Sequence, residues 1–360
     1  MKKLVLHPQH ATLGAKMGAF AGFDMPLTYK GVKAEHLCVR EHVGVFDVSH
    51  MGEFMVTGDT ALELLQYTTS NNVAALAVGE AQYGYMPNDT GGVVDDLLIY
   101  RLEENRYMLV VNASNIDKDW NWFSEQNKDF GATLTNASAD FALLAVQGPK
   151  AHALIQEVSG IDTAAQKGFT VVQTTVAGVP DVLVATTGYT GAGGVELYIP
   201  SAQATQVWEA LLTSGEAYNI QPIGLAARDT LRLEMGYCLY GHELTDSTSP
   251  IAARLAWCTH FDKIFVGEDY IKKDKTEGTA QLRVGITMID RGIPRQGYEL
   301  VDLNGNTIGE VTSGTSSPSL SVGIGMGYIN RDFAKINIEI FVRIREKSIK
   351  ARITRLPFML

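Results

Sequence analysis

The sequence predicts a mixed α+β fold that ends in an antiparallel β module, and three features predict it. Strand-like and helix-like segments are intermingled without the strict βαβ rhythm of a doubly wound sheet. The G-x-G-x-x-G turn of a dinucleotide fold is missing; the glycine-rich run 191–196 (GAGGVE) leads into a strand pattern instead of a helix. From Asp302 onward the chain is almost free of helical pattern. There, residues 336–345 (INIEIFVRIR) alternate nearly throughout, and Asn304-Gly305 stands between YELVDL and NTIGEV as a hairpin turn. The last part of the chain therefore reads as a small β-barrel or jelly-roll-like module.

Other elements follow from local pattern. Residues 61–67, 115–127 and 203–215 carry helical spacing, the second opening on an Asn and early aspartates. Residues 107–111 (YMLVV) and 181–187 (DVLVATT) read as buried strands. Residues 224–236 (GLAARDTLRLEMG) read as a helix closing at a glycine. Residues 272–281 (KKDKTEGTAQ) are polar and lack apolar periodicity, which predicts a linker between a region 1–271 and a barrel 282–360.

Composition excludes several classes. The chain has 360 residues, 46% hydrophobic and 19% charged, which rules out a disordered chain or a coiled coil. Its 35 glycines exceed the usual share of about 7% and imply many tight turns. A formal charge of −10, with no dense basic run, argues against a general nucleic-acid binder. The apolar run Leu4, Val5, Leu6 is too short for a signal peptide, and no stretch is long enough for a membrane helix. Cys38, Cys238 and Cys258 are widely spaced, which points to a reducing, cytoplasmic setting and against disulfides or a cysteine metal site.

Three segments could carry chemistry. Histidines lack metal-ligand spacing, so no metal is expected, and Ser49 beside His50 lacks a nucleophile elbow. In residues 91–100 (GGVVDDLLIY) a Gly-Gly turn leads into an apolar strand opening on Asp95 and Asp96. Alternation sends these two to opposite faces. The pair reads either as a turn cap or as one carboxylate tuned for proton work. In residues 187–200 (TGYTGAGGVELYIP) Glu196 lies between apolar neighbours on a strand, suited to two parallel donors or to an internal arginine. Arg228 and Arg232 lie four apart on a helix, so at least one is expected to meet an anion elsewhere.

Together these segments resemble the T protein family of the glycine cleavage system, the tetrahydrofolate-dependent aminomethyltransferases. The resemblance runs nearly end to end. It includes AGFDMPLTY (21–29), FDVSHMG (46–52), GGVVDDLLIY (91–100), LVVNASN (109–115), TGYTGAGGVELY (187–198), PIGLAARDTLRLEMGYCLYGHEL (222–244), IPRQGYEL (293–300) and VTSGTSSPSL (311–320).

The resemblance implies a three-lobed α+β fold around a folate channel. Two interleaved lobes fill 1–271, the second covering roughly 53–136, and a C-terminal antiparallel β-barrel follows. It implies Asp96 as the catalytic carboxylate and Glu196 as the group holding the pterin's amino-pyrimidine edge. Arg228 is implied near the folate and that carboxylate, and Tyr83, Met51, Asn112, Tyr189 and Trp257 along the folate pocket. It implies tetrahydrofolate as co-substrate, no metal, and the lipoylated H protein as partner, without nucleic acid or membrane.

Two relatives of the same superfamily are the alternatives, a folate-dependent demethylase and a non-enzymatic folate-binding iron–sulfur assembly factor. The latter carries a Cys-containing segment whose counterpart here is MGYCLYGHE (235–243). The chain stops at LPFML (356–360), where family members often continue with a short tail toward the ligand site.

Overall fold

A computed structural model describes residues 1–359; Leu360, at the end of the LPFML segment, lies outside the described residues. Two compact units emerge. The first comprises Met1–Leu65, Val73–Tyr83 and Leu97–Asp229, and the second Gln66–Asn72, Gly84–Asp96 and Thr230–Leu360.

The first unit is built on a six-stranded sheet. Its order is Val171–Val176, Val179–Ala185, Gly194–Pro200, Phe141–Gln147, Val43–Asp47 and Ile220–Pro222, antiparallel except for the last pair. Alternation divides this sheet cleanly. Val45, Leu144, Val146, Val182, Val184, Val195 and Leu197 point to one face. Leu154 and Ile155 of the helix Ala151–Ser159, with Val207, Trp208 and Leu211 of the helix Ala204–Gly215, cover it as a core. Phe46, Ala145 and Glu196 are cross-strand partners in register, so they share the opposite face. A second antiparallel sheet places Gly52–Thr57 between Arg106–Val111 and Thr133–Asn136, with residues 97–103 of the strand Val93–Glu103 on the far side of Arg106–Val111.

The helix Leu225–Glu234 starts where a buried acid ties three turns together. Glu35 is 0% exposed, and its carboxylate accepts the N–H groups of Tyr29 (2.7 Å), Gly31 (2.8 Å) and Gly224 (2.7 Å). Three donors offset the cost of removing the charge from water. Gly224 is required for close approach, because a Cβ there would lie 2.2 Å from the carbonyl oxygen of Leu27.

The second unit contains a closed barrel, ordered Gln281–Met288, Gly323–Asn330, Thr307–Ser316, Glu299–Val301, Glu339–Ile344 and Lys347–Thr354. Its interior holds Val284, Ile286, Leu300, Val311, Ile340, Val342 and Ile353. Ile340 and Val342 are the inward half of the alternating run read in the sequence. The Asn-Gly hairpin also forms: the Asp302 carboxylate accepts the N–H of Asn304 (2.8 Å) and of Asn306 (2.9 Å).

The expected linker needs correction. Most of it is helix, Glu268–Glu277, and only residues 278–280 separate that helix from the first barrel strand. Ile271 is its one buried side chain, so no apolar stripe existed to be read. The second unit also begins well before residue 272. Side chains of residues 232 and 234 bond to the barrel region: Arg232 Nη2 donates to Ser313 Oγ (2.8 Å) on the strand Thr307–Ser316, and Ser317 Oγ, just past that strand, donates to Glu234 Oε1 (2.5 Å). Arg283 Nη1 donates to the carbonyl of Gly236 (2.7 Å).

Gly224→Ala is expected to lower the urea midpoint with little change in slope. The loss should be about 1–3 kcal/mol, the range for overpacking.

Candidate active site

The sheet face opposite the helices forms the floor of a small cleft in the first unit. It is lined by Phe46, Val48, Ala145, Gln147, Tyr189, Thr190, Glu196 and Arg228. Strand alternation explains most of this set: Phe46 and Val48, Ala145 and Gln147, and Glu196 all emerge on one side.

Glu196 is the part-buried carboxyl group of this floor. Thr187 Oγ1 donates to Glu196 Oε2 (2.5 Å) and also meets the hydroxyl of Tyr100 (2.9 Å), which accepts from Tyr198 Oη (2.9 Å). Desolvation pushes the Glu196 carboxyl up, while the Thr187 hydrogen bond and then the Arg228 charge pull it back part of the way. Gln147 anchors the surrounding loop: its Nε2 donates to the carbonyls of Thr187 and Val195 (both 3.1 Å), and its Oε1 accepts from Thr190 Oγ1 (2.8 Å).

Arg228 projects from the helix Leu225–Glu234, with its guanidinium carbon 4.5 Å from the centre of the Tyr189 ring. This stacking presents a flat cationic face and leaves the in-plane N–H groups directional. Burial first, and then the Arg228 charge, hold the His50 imidazole at about 3, so it is neutral at physiological pH. Ser49 is structural: its hydroxyl donates to Asp47 Oδ1 (2.5 Å) and accepts from the N–H of Leu143 (2.9 Å).

Of the expected site residues, Glu196, Arg228 and Tyr189 line this cleft. Met51, Tyr83 and Asn112 belong to the same unit and are part-buried, but they are not among its lining residues. Asp96 and Trp257 belong to the second unit. There the Gly-Gly turn is braced by Asn88, whose Oδ1 accepts from the N–H groups of Thr90 (3.0 Å) and Gly92 (2.9 Å). Asn88 Nδ2 donates to the carbonyl of Asp246 (2.7 Å). A Cβ on Gly92 would meet that same carbonyl oxygen at 1.8 Å, so the backbone approach demands glycine. The strand launched by this turn buries Asp95 completely, at 0% exposure, and leaves Asp96 part-exposed. Trp257 is 67% exposed on a short 3₁₀ turn. Cys238 is buried, and desolvation pushes its thiol up to about 12, an inert packed group.

Thr187, Tyr100, Tyr198, Gln147 and His50 were not singled out by sequence reasoning. Thr187 and Tyr198 bracket TGYTGAGGVELY, Tyr100 closes GGVVDDLLIY and His50 lies in FDVSHMG, but their connection depends on which strands become neighbours. Among the described residues no group of three or more His, Cys, Asp or Glu side chains could hold a metal ion. No described helix is long and apolar enough to cross a membrane.

Comparison with known proteins decides the family. A family model described as the GCVT N-terminal domain matches residues 6–263. One described as the glycine cleavage T-protein C-terminal barrel domain matches residues 282–359. The chain belongs to the aminomethyltransferase family of the glycine cleavage system. The aminomethyltransferase of Flavobacterium psychrophilum is 51% identical over 358 residues, and that of Bacteroides thetaiotaomicron 52% over 360, each alignment covering 99% of both chains. A crystal structure of the glycine cleavage system aminomethyltransferase T from Bartonella henselae superposes with a TM-score of 0.94. It is 37% identical and covers 99% of this chain and 98% of its own. The family is a transferase family, and its fold agrees with the mixed helix-and-sheet architecture and C-terminal barrel.

Thr187→Val is expected to destabilise the fold by about 1–3 kcal/mol in urea unfolding, because it leaves the Glu196 carboxylate and the Tyr100 hydroxyl short of a partner.

Proposed function

We propose that this chain transfers the methylene carbon of an aminomethyl-dihydrolipoyl arm, carried by the H protein, to tetrahydrofolate. The products are 5,10-methylenetetrahydrofolate, ammonia and dihydrolipoyl H protein. The observation that carries the reading is Glu196, a carboxylate held by Thr187 on the floor of a cleft beside the Arg228–Tyr189 stack, in a chain of this family.

An amino-pyrimidine edge offers two parallel N–H donors, and the two oxygens of a carboxylate accept both. We assign Glu196 and Arg228 to the folate head, with Tyr189, Tyr83, Met51, Asn112 and Trp257 as further folate contacts. In the reaction the carbon–sulfur and carbon–amine bonds break while two folate nitrogens bond to the carbon. Protons leave those nitrogens and reach ammonia and the thiol, so a base that can accept and return a proton is needed. Asp96 is our assignment for that base, on the GGVVDDLLIY motif and its partial exposure. Fixing the ring supplies proximity. The reaction runs in the cytoplasm, with the region 1–271 as the folate-binding catalytic part and 282–360 as the barrel domain.

Asp96→Asn is expected to lose nearly all turnover while still binding folate, because the amide keeps the shape and cannot take the proton. Asp95→Asn should instead lower the melting temperature, since Asp95 is wholly buried. A coupled assay with lipoylated H protein, combined with folate titration, separates the two; reversed phenotypes would reassign the base.

Glu196→Gln is expected to weaken folate binding ten- to a hundredfold, with turnover at saturating folate far less affected. One acceptor becomes a donor facing a donor, at about 1–3 kcal/mol. Calorimetric titration with a folate analogue measures it, and unchanged affinity would mean another group holds the ring.

A further inference from the structure

Glu53 is a buried acid that the proposed reaction does not use. It lies on the strand Gly52–Thr57 and is 1% exposed, and its Oε1 has no hydrogen-bond partner. Its backbone is satisfied separately, since its N–H donates to Ser138 Oγ (3.0 Å) and its carbonyl accepts from the N–H of Ala137 (2.9 Å).

Sheet register fixes where the side chain points. Glu53 pairs with Val110, and Val110 pairs with Leu98. Cross-strand partners share a face, and Tyr100 lies two residues beyond Leu98, so Glu53 and Tyr100 project from the same face. Tyr100 is the hydroxyl joined to Tyr198 and, through Thr187, to Glu196. Glu53 therefore belongs to the cluster of ionisable groups behind the cleft. The groups that face it are Glu196 and Tyr198 from the strand Gly194–Pro200 and Tyr100 from the strand Val93–Glu103. Arg228, from the helix Leu225–Glu234, acts on Glu196.

Two carboxyl groups in one buried cluster resist double ionisation. Their surroundings differ. Glu196 has a hydroxyl donor and a guanidinium that favour its anion, whereas burial and the Glu196 charge both disfavour the anion of Glu53. We propose that Glu53 is a neutral carboxylic acid in the folded protein, a positioning residue that holds the pair's single proton so that Glu196 remains the anion of the cleft. This rests on the reading of Glu196 as the folate-holding carboxylate. A charged Glu53 would put a second, unpaired negative charge behind the ring site.

The test compares wild type with Glu53→Gln, which mimics the neutral acid. In the unfolded chain Glu53 ionises near its ordinary value of about 4.3, while the fold favours its protonated form. Wild-type stability is thus retained below that value and lost as pH rises towards the folded-state pKa. The melting temperature of Glu53→Gln is expected to gain about 3 °C or more on wild type between about pH 5 and pH 8. A gap that stays constant or shrinks overturns the proposal.

Infrared spectroscopy of the full chain gives a readout that does not depend on that variant folding. The carbonyl stretch of a protonated carboxyl should be present at pH 8 in wild type and diminished in Glu53→Gln. Its absence from wild type, or its full intensity in Glu53→Gln, overturns the assignment. Folate affinity of Glu196→Gln, measured separately, tests the folate reading alone, so the two failures are told apart.

Discussion

The hydrogen bond from Thr187 to Glu196 is the contact on which the cleft depends. Burial pushes a carboxyl on the floor of this sheet face toward its protonated form, and the Thr187 donor opposes that push. Thr187 supplies the donor and is itself aimed by Tyr100, which Tyr198 orients in turn. Gln147 fixes the backbone at both ends of the loop, at Thr187 and at Val195. Position and charge of the acceptor are therefore set by strands and by a pinned loop, with little left to side-chain freedom. A rigid acceptor suits a ligand that must be held while bonds are exchanged elsewhere on it.

The same constraint recurs at three other buried acids. Glu35 takes three backbone amides and joins the turns that start the Arg228 helix. Glu243 pairs with the fully buried Arg232 (2.9 Å) and also accepts the N–H of Leu239 (3.0 Å) and the hydroxyl of Thr312 (2.6 Å). Glu234 gathers the hydroxyls of Ser317 (2.5 Å) and Ser319 (2.9 Å). The serine-rich VTSGTSSPSL run thus has a structural use as the donor set for an acid eighty residues upstream. Each of these acids has its oxygens satisfied by donors built around it. Glu53 has no such set, which is why its chemistry must differ.

Much of this was legible in the residues themselves. Period-two alternation marked the barrel strand Glu339–Ile344, Asn304-Gly305 the hairpin, and apolar spacing four of the helices, because these depend on neighbours a few residues apart. The motifs around Asp95–Asp96, Glu196 and Arg228 were visible for a related reason: a carboxylate between apolar strand residues or a charge pair on a helix is a local anomaly. The helix Glu268–Glu277 escaped notice because one buried isoleucine carries no periodicity.

The tertiary structure alone decided what no local window contains. Which of two adjacent aspartates is sealed off depends on the strand's facing layers, and Asp95 proved to be the one. Tyr100, Tyr198, Gln147 and Thr187 became one network only when strands far apart in sequence came into register. The neutrality of His50 depends on desolvation and on a guanidinium from a distant helix. Local pattern reports backbone geometry and which face is apolar; electrostatics depends on distance through space, and that exists only once the chain is folded.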